Sequence, residues 1–230
     1  MKALLGTVLI AALAASASAQ ATLAVPGSFA SIQAAVDAAS SGDTILVAPG
    51  HYNLSTVSII GKDVLLTSSH GARETDIFVG TPGRAFFLSG TSTTGPQPMT
   101  IEGFTIVNGK APSAPAGSTG QAGGSGGAIL VDNGGVIVRG CIFDGNRAGD
   151  GSQGIDGIDG APLSTGGLPG QPGGKGGAGG HGGAIAILQN GGFTSPSSIE
   201  GCQFFDNRTG EGGFGGTGGE GGDDIRGVFS

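Results

Sequence analysis

The stretch RGCIFDGNR (139–147) decides the fold class, because it recurs 61 residues later as EGCQFFDNR (200–208). A shorter version, IEGFTIVN, lies at 101–108. Each of the two later copies closes a segment that opens with GGAI, at 126–129 and at 182–185. These segments span 22 and 27 residues, the length of one coil of a β-solenoid in which like residues stack on like. The repeat therefore predicts coils of short parallel strands.

The repeat also predicts which side chains are buried, because alternate residues of a strand face opposite sides of a sheet. The residues predicted to face inward are Ile101, Phe104, Ile106, Val138, Cys141, Phe143, Ile199, Cys202 and Phe204. The charged residues predicted to form an outward column are Glu102, Arg139 and Glu200. Turn positions are assigned to Asn108, Asn146 and Asn207, because asparagine tolerates a left-handed backbone.

The chain before the repeats contains one helical segment and several short apolar runs. Apolar residues recur at helical spacing over 29–39, after Ser28 as the candidate N-cap. The runs predicted as strands cover 44–47, 57–60, 64–66, 76–79, 85–88 and 100–107. One short helix is thus expected to lead into a regular series of strands.

The first nineteen residues have the pattern of an export signal. Lys2 supplies a positive start, 3–15 is apolar, and Ala17 and Ala19 fit the small-x-small cleavage pattern. The apolar run is too short to span a bilayer comfortably. We therefore expect a cleaved signal peptide over 1–19, a mature domain over 20–230 and no transmembrane segment after cleavage.

The charge balance argues against two classes of partner. Loss of Lys2 with the leader leaves nine basic and seventeen acidic residues, a net charge of −8. An acidic chain without a basic cluster has no electrostatic footprint for nucleic acid or for an anionic membrane surface. Two cysteines are also too few for a disulfide-stapled scaffold.

Glycine divides the chain into two zones. Residues 1–108 hold 11 of the 51 glycines, and residues 109–230 hold the other 40. In the second zone glycine recurs every third residue over long stretches, although six triplets are too few for a collagen triple helix. Glycine-rich insertions are predicted at about 110–127, 148–183 and 209–223. We favour surface loops for them, with an extended polyglycine or polyproline-II-like excursion as the alternative.

The first half of the mature chain resembles a known superfamily. FASIQAAVDAASSGDTILVAPGHYN (29–53) resembles the N-terminal cap and first strand of right-handed parallel β-helix proteins of the pectin-lyase-like superfamily. GKDVLLTSSHGARETDIFVG (61–80) and IEGFTIVNG (101–109) resemble their ordinary coils. The resemblance implies an all-β fold: a right-handed parallel β-helix, or solenoid, with a short N-terminal capping helix and long glycine-rich loops.

A second resemblance bears on function. The paired GGAI and FxxN elements, the latter at 143–146 and 204–207, resemble the repeats of polymorphic outer-membrane proteins. Those are surface-exposed β-helical passengers associated with adhesion. The resemblance implies an exported, non-catalytic adhesion-type protein, secreted or at the cell surface in association with an outer membrane. Its expected partners are cell-surface glycans or surface proteins of host or neighbouring cells.

The alternative is a polysaccharide lyase or glycoside hydrolase acting on acidic glycans. Superfamily enzymes use Ca²⁺-binding acidic residues with an Arg or Lys base, or clustered carboxylates. In this chain only the column of Glu102, Arg139 and Glu200 brings charges together, with the two glutamates about 9.6 Å apart if the coils are successive. That separation lies just beyond the range of inverting glycosidases, so we favour a solvated charge ladder. The catalytic residues are therefore left unassigned.

Other reactive side chains give no stronger site. His51, His70 and His181 are scattered without metal-ligand spacing. GGEGGDDIR (218–226) fits a Ca²⁺-binding nonapeptide, but it occurs once, so we expect no cofactor and keep Ca²⁺ as an alternative. Tyr52 is expected to pack in the cap. Asn53 and Asn207 begin matches to the N-glycosylation pattern, which occur frequently by chance.

Two expectations concern the last part of the chain. Cys141 and Cys202 should be near neighbours on adjacent coils, either as two stacked thiols or as a disulfide. The last coil should be incomplete, because RGVFS (226–230) follows the third glycine run by only a few residues. We accordingly expect a fragment, or poorly ordered final residues, with strand edges left open.

Overall fold

In a computed structural model, which describes residues 20–80, 82–94, 98–159, 169–189 and 195–218, every pairing between named strands is parallel. The strands form three stacked sheets, which confirms the predicted parallel stacking. The leader over 1–19 lies outside the described residues.

The three sheets are named A, B and C in the order in which the chain enters them. Sheet A has the strand order β1 (Thr22–Val25), β2 (Thr44–Val47), β5 (Leu65–Ser68), β8 (Thr100–Glu102), β11 (Ile137–Arg139) and β14 (Ser198–Glu200). Sheet B has the order β3 (Gly50–Leu54), β6 (Thr75–Val79), β9 (Thr105–Val107), β12 (Ile142–Asp144) and β15 (Gln203–Phe205). Sheet C has the order β4 (Val57–Ile60), β7 (Phe86–Ser89), β10 (Ile129–Asp132) and β13 (Ile185–Leu188). From β2 onward the chain therefore visits A, B and C once in each coil.

Stacked columns of apolar side chains form the core between the sheets. Ile101 pairs in register with Val138, and Val138 pairs with Ile199, as the repeat predicted. Ile101 and Val138 are fully buried, whereas Ile199 is 47% exposed because it lies on the last described strand of sheet A. Phe204, in the corresponding position on sheet B, is 48% exposed for the same reason.

Glycine makes the corner between sheets A and B in the repeated coils. Gly103, Gly140 and Gly201 have φ of 75°, 54° and 62°, the left-handed region in which a Cβ is costly. The charge-then-glycine order of the repeat therefore marks the end of each sheet A strand.

The next corner corrects the predicted turn positions. Asn108 has φ 59° and is equivalent to Gly145 and Asp206, with φ 63° and 49°. Asn146 and Asn207 lie one residue further along and have no left-handed φ. The turn assignment was therefore wrong for these two asparagines, whose side chains make hydrogen bonds between coils instead.

A short helix covers one end of the core, as predicted, but it begins later than expected. Helix α1 spans Ile32–Ala38, and its N-cap is Ser31 rather than Ser28. The Ser31 hydroxyl accepts the N–H of Ala34 at 3.2 Å, which satisfies one of the free donors of the first turn. Phe29 packs against the core from the turn before the helix.

Two polar side chains fasten the helix to the first coil. The Gln33 amide accepts the N–H of Ser58 at 2.7 Å and donates to its carbonyl at 3.2 Å, as a neighbouring strand would. Lys62 donates to the carbonyl oxygens of Val36 and Asp37 at the end of the helix, where the helix dipole favours a positive charge.

Candidate functional site

Five extended glycine-rich segments lie side by side between sheets B and C, and we call them the glycine bundle. The outgoing segments, which follow β9, β12 and β15, are 109–114, 147–158 and 208–217. The returning segments, which precede β10 and β13, are 120–127 and 171–182. The bundle is thus the turn between sheets B and C, drawn out of the stack in successive coils.

Outgoing segments bond to one another in parallel, once every three residues. The N–H groups of Ala148, Gly151, Gly154 and Gly157 donate at 2.7–3.0 Å to the carbonyls of Arg208, Glu211, Phe214 and Thr217. Donor and acceptor are 60 residues apart in each of these bonds, one fewer than the 61-residue repeat of the coils, so the coil repeat continues into the bundle.

The returning segments run antiparallel to the outgoing segments and bond to them with the same period of three residues. Gly174, Gly177 and Gly180 donate at 2.7–2.8 Å to the carbonyls of Ile155, Ser152 and Gly149. Gly210, Gly213 and Gly216 donate at 2.8–3.0 Å to Gly180, Gly177 and Gly174. A repeat of three residues is that of a polyproline-II-type helix.

The interpretation of these insertions as surface loops was therefore wrong for the described segments. Their backbones are hydrogen-bonded along their length, and none of the described glycines from 149 to 180 has a left-handed φ. The extended polyglycine alternative describes them instead. Residues 160–168 and 219–230 lie outside the described part of the chain.

Close backbone approach explains why these positions are glycine. A Cβ at Gly177 would overlap the carbonyl oxygen of Gln121, and one at Gly213 would overlap that of Ser152. On the outer edge, by contrast, a Cβ at Gly212 would lie 3.6 Å from its nearest neighbour, an ordinary contact. The glycine triplets are therefore a packing requirement wherever two segments face each other.

A row of polar side chains reinforces the pairing of the second and third outgoing segments, 147–158 and 208–217. Oxygens of Asp150, Gln153 and Asp156 accept the N–H groups of Glu211, Phe214 and Thr217 at 2.8, 2.9 and 2.8 Å. These backbone hydrogen bonds lower the pKa of Asp150 and of Asp156, because they favour the ionised carboxylate.

Asparagines bond the base of the bundle together. The amide of Asn146, fully buried, accepts the N–H of Gly109 at 2.8 Å and donates to the carbonyl of Ile106 at 3.0 Å. It also donates to the Asn207 side chain at 2.9 Å, and Asn207 in turn donates to Phe143 at 2.9 Å. The repeated asparagine therefore joins three coils where the outgoing segments begin.

The bundle exposes large apolar side chains. Ile155, Ile158 and Phe214 are 56%, 70% and 81% exposed. Charged groups lie near its base, where Arg147 pairs with Asp150 at 2.8 Å and with Glu211 at 3.2 Å. A hydrogen-bonded projection that carries both apolar and acidic groups has the chemistry of a contact surface.

The predicted charge column exists, as a ladder on the outer face of sheet A. Arg139 pairs in register with both Glu102 and Glu200, and its Nε lies 3.0 Å from the Glu200 carboxylate. The Arg139 hydrogen bond lowers the pKa of Glu200. Both side chains of this pair are about half exposed, which is the setting of an ordinary surface ion pair.

The histidines are held in separate places. His51 lies 2.9 Å from Asp76 on sheet B, and His70 bonds to Ser69 at 2.8 Å. His181 belongs to the glycine bundle, where its N–H donates to Ser125 at 3.1 Å. Within the described ranges, no three His, Cys, Asp or Glu side chains are arranged to hold a metal ion.

Sequence reasoning did not single out one groove at the corner between sheets A and B. It has a volume of about 420 Å³, and its lining includes the ionisable side chains of His70, Arg73 and Glu74. All three come from the single turn between β5 and β6, while Cys141 and Gln203 line the groove from later coils. Only the coil register brings these distant stretches together, so no local motif could have indicated the groove.

The structure also bears on Tyr52, the calcium-type nonapeptide and the two candidate glycosylation sites. The Tyr52 hydroxyl donates to the Ala48 carbonyl at 2.9 Å and its ring packs against the core, as expected. Of the calcium-type nonapeptide, only Gly218 lies within the described residues. Asn53 is exposed on β3, whereas the amide of Asn207 is engaged in the asparagine row.

Cys141 and Cys202 are neighbours, as predicted, and both are free thiols. They directly precede β12 and β15, which pair in register. Interaction between the two side chains raises the pKa of Cys141 and lowers that of Cys202. Cys141 is buried, and Cys202 is partly exposed.

Comparison with known proteins found no match among family descriptions, curated proteins or solved structures. Among the described residues, no helix has both the length and the apolar character needed to cross a membrane.

Proposed function

We propose that this chain is an exported, non-catalytic surface protein of the adhesion type, built as a right-handed parallel β-helix of the pectin-lyase-like superfamily. Its location is the cell surface in association with an outer membrane, or the medium outside the cell. The glycine bundle is its contact element, and its partners are cell-surface glycans or surface proteins of neighbouring or host cells.

One observation carries this proposal: the exposure of three large apolar side chains, Ile155, Ile158 and Phe214, on a hydrogen-bonded backbone. Exposed apolar side chains that gather in one patch mark a site of interaction with a protein, a membrane or a ligand. The bundle holds them without the entropy loss that ordering a loose loop would require on binding.

Binding of the mature chain to intact cells and to an immobilised glycan series tests the proposal. A triple variant, I155S/I158S/F214S, should lose at least about tenfold in affinity, because removal of buried apolar contact costs roughly 1–2 kcal/mol per side chain. The matched control is I60S, because Ile60 is 62% exposed on sheet C, away from the bundle. Equal binding by the wild type and the triple variant would contradict the proposal.

The second candidate is a lyase or hydrolase of acidic glycans, favoured by the groove with His70, Arg73 and Glu74. Incubation with polygalacturonate and alginate, with and without Ca²⁺, should yield neither new reducing ends nor unsaturated products. Product formation that is abolished in E74Q, or in E102Q or E200Q on the charge ladder, would replace the adhesion proposal with this one.

A further inference from the structure

The two cysteines occupy equivalent positions on neighbouring coils. Cys141 precedes Ile142 and Cys202 precedes Gln203. Ile142 and Gln203 are register partners in sheet B. Paired strands are about 4.8 Å apart, which lies within the Cα separation of about 4.4–6.8 Å seen in disulfides. Each cysteine follows a corner glycine, Gly140 or Gly201, with φ of 54° and 62°.

The two sulfur atoms have equivalent surroundings, because each lies near a backbone carbonyl oxygen of its own coil and one of the coil before it. Cys141 Sγ lies 3.3 Å from the Arg139 carbonyl oxygen, and Cys202 Sγ lies 3.5 Å from that of Glu200. Cys202 Sγ is also 3.6 Å from the carbonyl of Val138, on the coil that bears Cys141. Interaction with the Cys141 side chain lowers the pKa of Cys202, the more accessible partner, and the thiolate is the form that attacks a disulfide.

We infer that Cys141 and Cys202 are a cross-linking site, and that a small disulfide such as oxidised glutathione converts them to a disulfide between the last two described coils. The inference does not depend on what the glycine bundle binds.

The chemistry proceeds by two exchanges. The Cys202 thiolate attacks one sulfur of oxidised glutathione, the glutathione S–S bond breaks, and one glutathione thiolate leaves. The Cys141 thiol passes its proton to that thiolate and attacks the Cys202 sulfur, which releases the second glutathione as a thiolate. This thiolate takes up the proton that Cys202 lost when it ionised. Two protein thiols are thereby oxidised by two electrons, and one oxidised glutathione is reduced to two thiols.

The cross-link would secure the least covered part of the stack. β14 and β15 have three residues each, and Ile199, Phe204 and Phe205 on them are about half exposed. The loop closed between the cysteines contains one outgoing and one returning segment of the glycine bundle, 147–158 and 171–182. A disulfide across a loop of this length removes much conformational freedom from the unfolded chain.

Peptide mapping of the wild-type mature chain tests the inference. After incubation with oxidised glutathione, denaturation, alkylation and tryptic digestion without reduction, the peptides 140–147 and 176–208 should be joined and two hydrogens lighter than their sum. The thermal unfolding midpoint should also rise, by about 5–15 °C relative to the reduced protein. Neither change should occur in C141S or C202S.

Either of two results would overturn the inference. One is a pair of free thiols that persists in a large excess of oxidised glutathione. The other is a stable glutathione adduct on Cys202 with Cys141 still free, because it would show that the two sulfurs do not reach each other. Both readouts use the wild-type protein, so they do not depend on the folding of a variant.

Discussion

At the scale of single residues, Asn146 and Asn207 have a role that differs from the role of asparagine in most turns. The corner itself is made by the preceding residue, Gly145 or Asp206, which takes the left-handed backbone, as Asn108 does in the coil before. Asn146 instead turns its amide into the stack and satisfies backbone groups of the coil on one side and a side chain on the other. Its importance therefore lies in buried hydrogen bonds rather than in backbone geometry.

We expect N146A to lower the free energy of unfolding by about 2–4 kcal/mol, because it removes the acceptor of the Gly109 N–H and the amide's hydrogen bonds to the Ile106 carbonyl and to Asn207. The control is N108G, which keeps the left-handed corner with a residue that adopts it freely and should change stability by less than about 1 kcal/mol. Urea denaturation of both variants gives the comparison. A loss in N108G as large as that in N146A would refute the distinction.

At the scale of elements, the glycine triplets act as packing surfaces. Each outgoing or returning segment needs glycine on the sides that face a neighbour and accepts a side chain on the remaining side. A Cβ at Gly213 would overlap the Ser152 carbonyl in the adjacent segment, whereas a Cβ at Gly212, one residue earlier, would make an ordinary contact at 3.6 Å. Neighbouring glycines in one segment should thus differ sharply in their tolerance of a side chain.

We expect G213V to detach the segment 208–217 from the bundle, since its Cβ has no room beside the Ser152 carbonyl. Limited tryptic cleavage after Arg208 should then become rapid, because the detached segment can enter a protease. G212V is the matched control and should be cleaved at the wild-type rate. Slow cleavage of G213V would mean that this packing does not exist.

The row of acidic side chains makes the same pairing sensitive to pH. The folded-state pKa values of Asp150 and Asp156 are below the usual 3.8, so the stability they confer is present above that pH. It is lost as the pH falls below 3.8 and through the lowered values. The thermal midpoint should therefore fall more steeply below pH 4 in the wild type than in D150N/D156N, which retains an oxygen acceptor at each position.

The variant retains Asp43, whose pKa is also lowered, chiefly by the N–H of Ala21. Some acid sensitivity should thus remain in D150N/D156N. Identical profiles for the two proteins between pH 2 and pH 6 would show that these two carboxylates do not support the pairing.

Sequence predicted some elements well and others poorly, for physical reasons. The run 57–60 matches β4 residue for residue, because alternating apolar side chains define a half-buried strand. The run 100–107 divides into β8 and β9, since Gly103 turns a corner inside it. Strand β3 escaped prediction because Gly50–Leu54 has few apolar residues and is held largely by its register with β6.

At the scale of the whole molecule, the stack and the glycine bundle are two consequences of one repeat. The 61-residue offset that pairs Phe143 with Phe204, whose rings stack at 5.1 Å, also pairs Asp150 with Glu211. Sequence showed the repeat and the period of three, yet it could not show that the segments bond to one another. That bonding depends on the coil register, which places residues far apart in the chain side by side.

The core could therefore be predicted from the sequence to a greater extent than the candidate site. Inward positions such as Ile101 and Val138 follow from alternation alone, while the exposure of Ile199 depends on what lies beyond its strand. The groove beside His70 and the surface of the bundle arise only from stacking. For such long-range features, composition and local motifs carry little information.

Amide hydrogen exchange, resolved residue by residue by NMR, tests the central claim that the glycine-rich segments form a hydrogen-bonded bundle. The N–H groups of Gly174, Gly177 and Gly180 donate to backbone carbonyls, so they should exchange at least about a hundredfold more slowly than in an unstructured chain. The N–H groups of Gly212 and Gly215, on the exposed edge, should exchange close to unstructured rates. Fast exchange at all five glycines would contradict the hydrogen-bonded bundle and would favour the interpretation of these segments as surface loops.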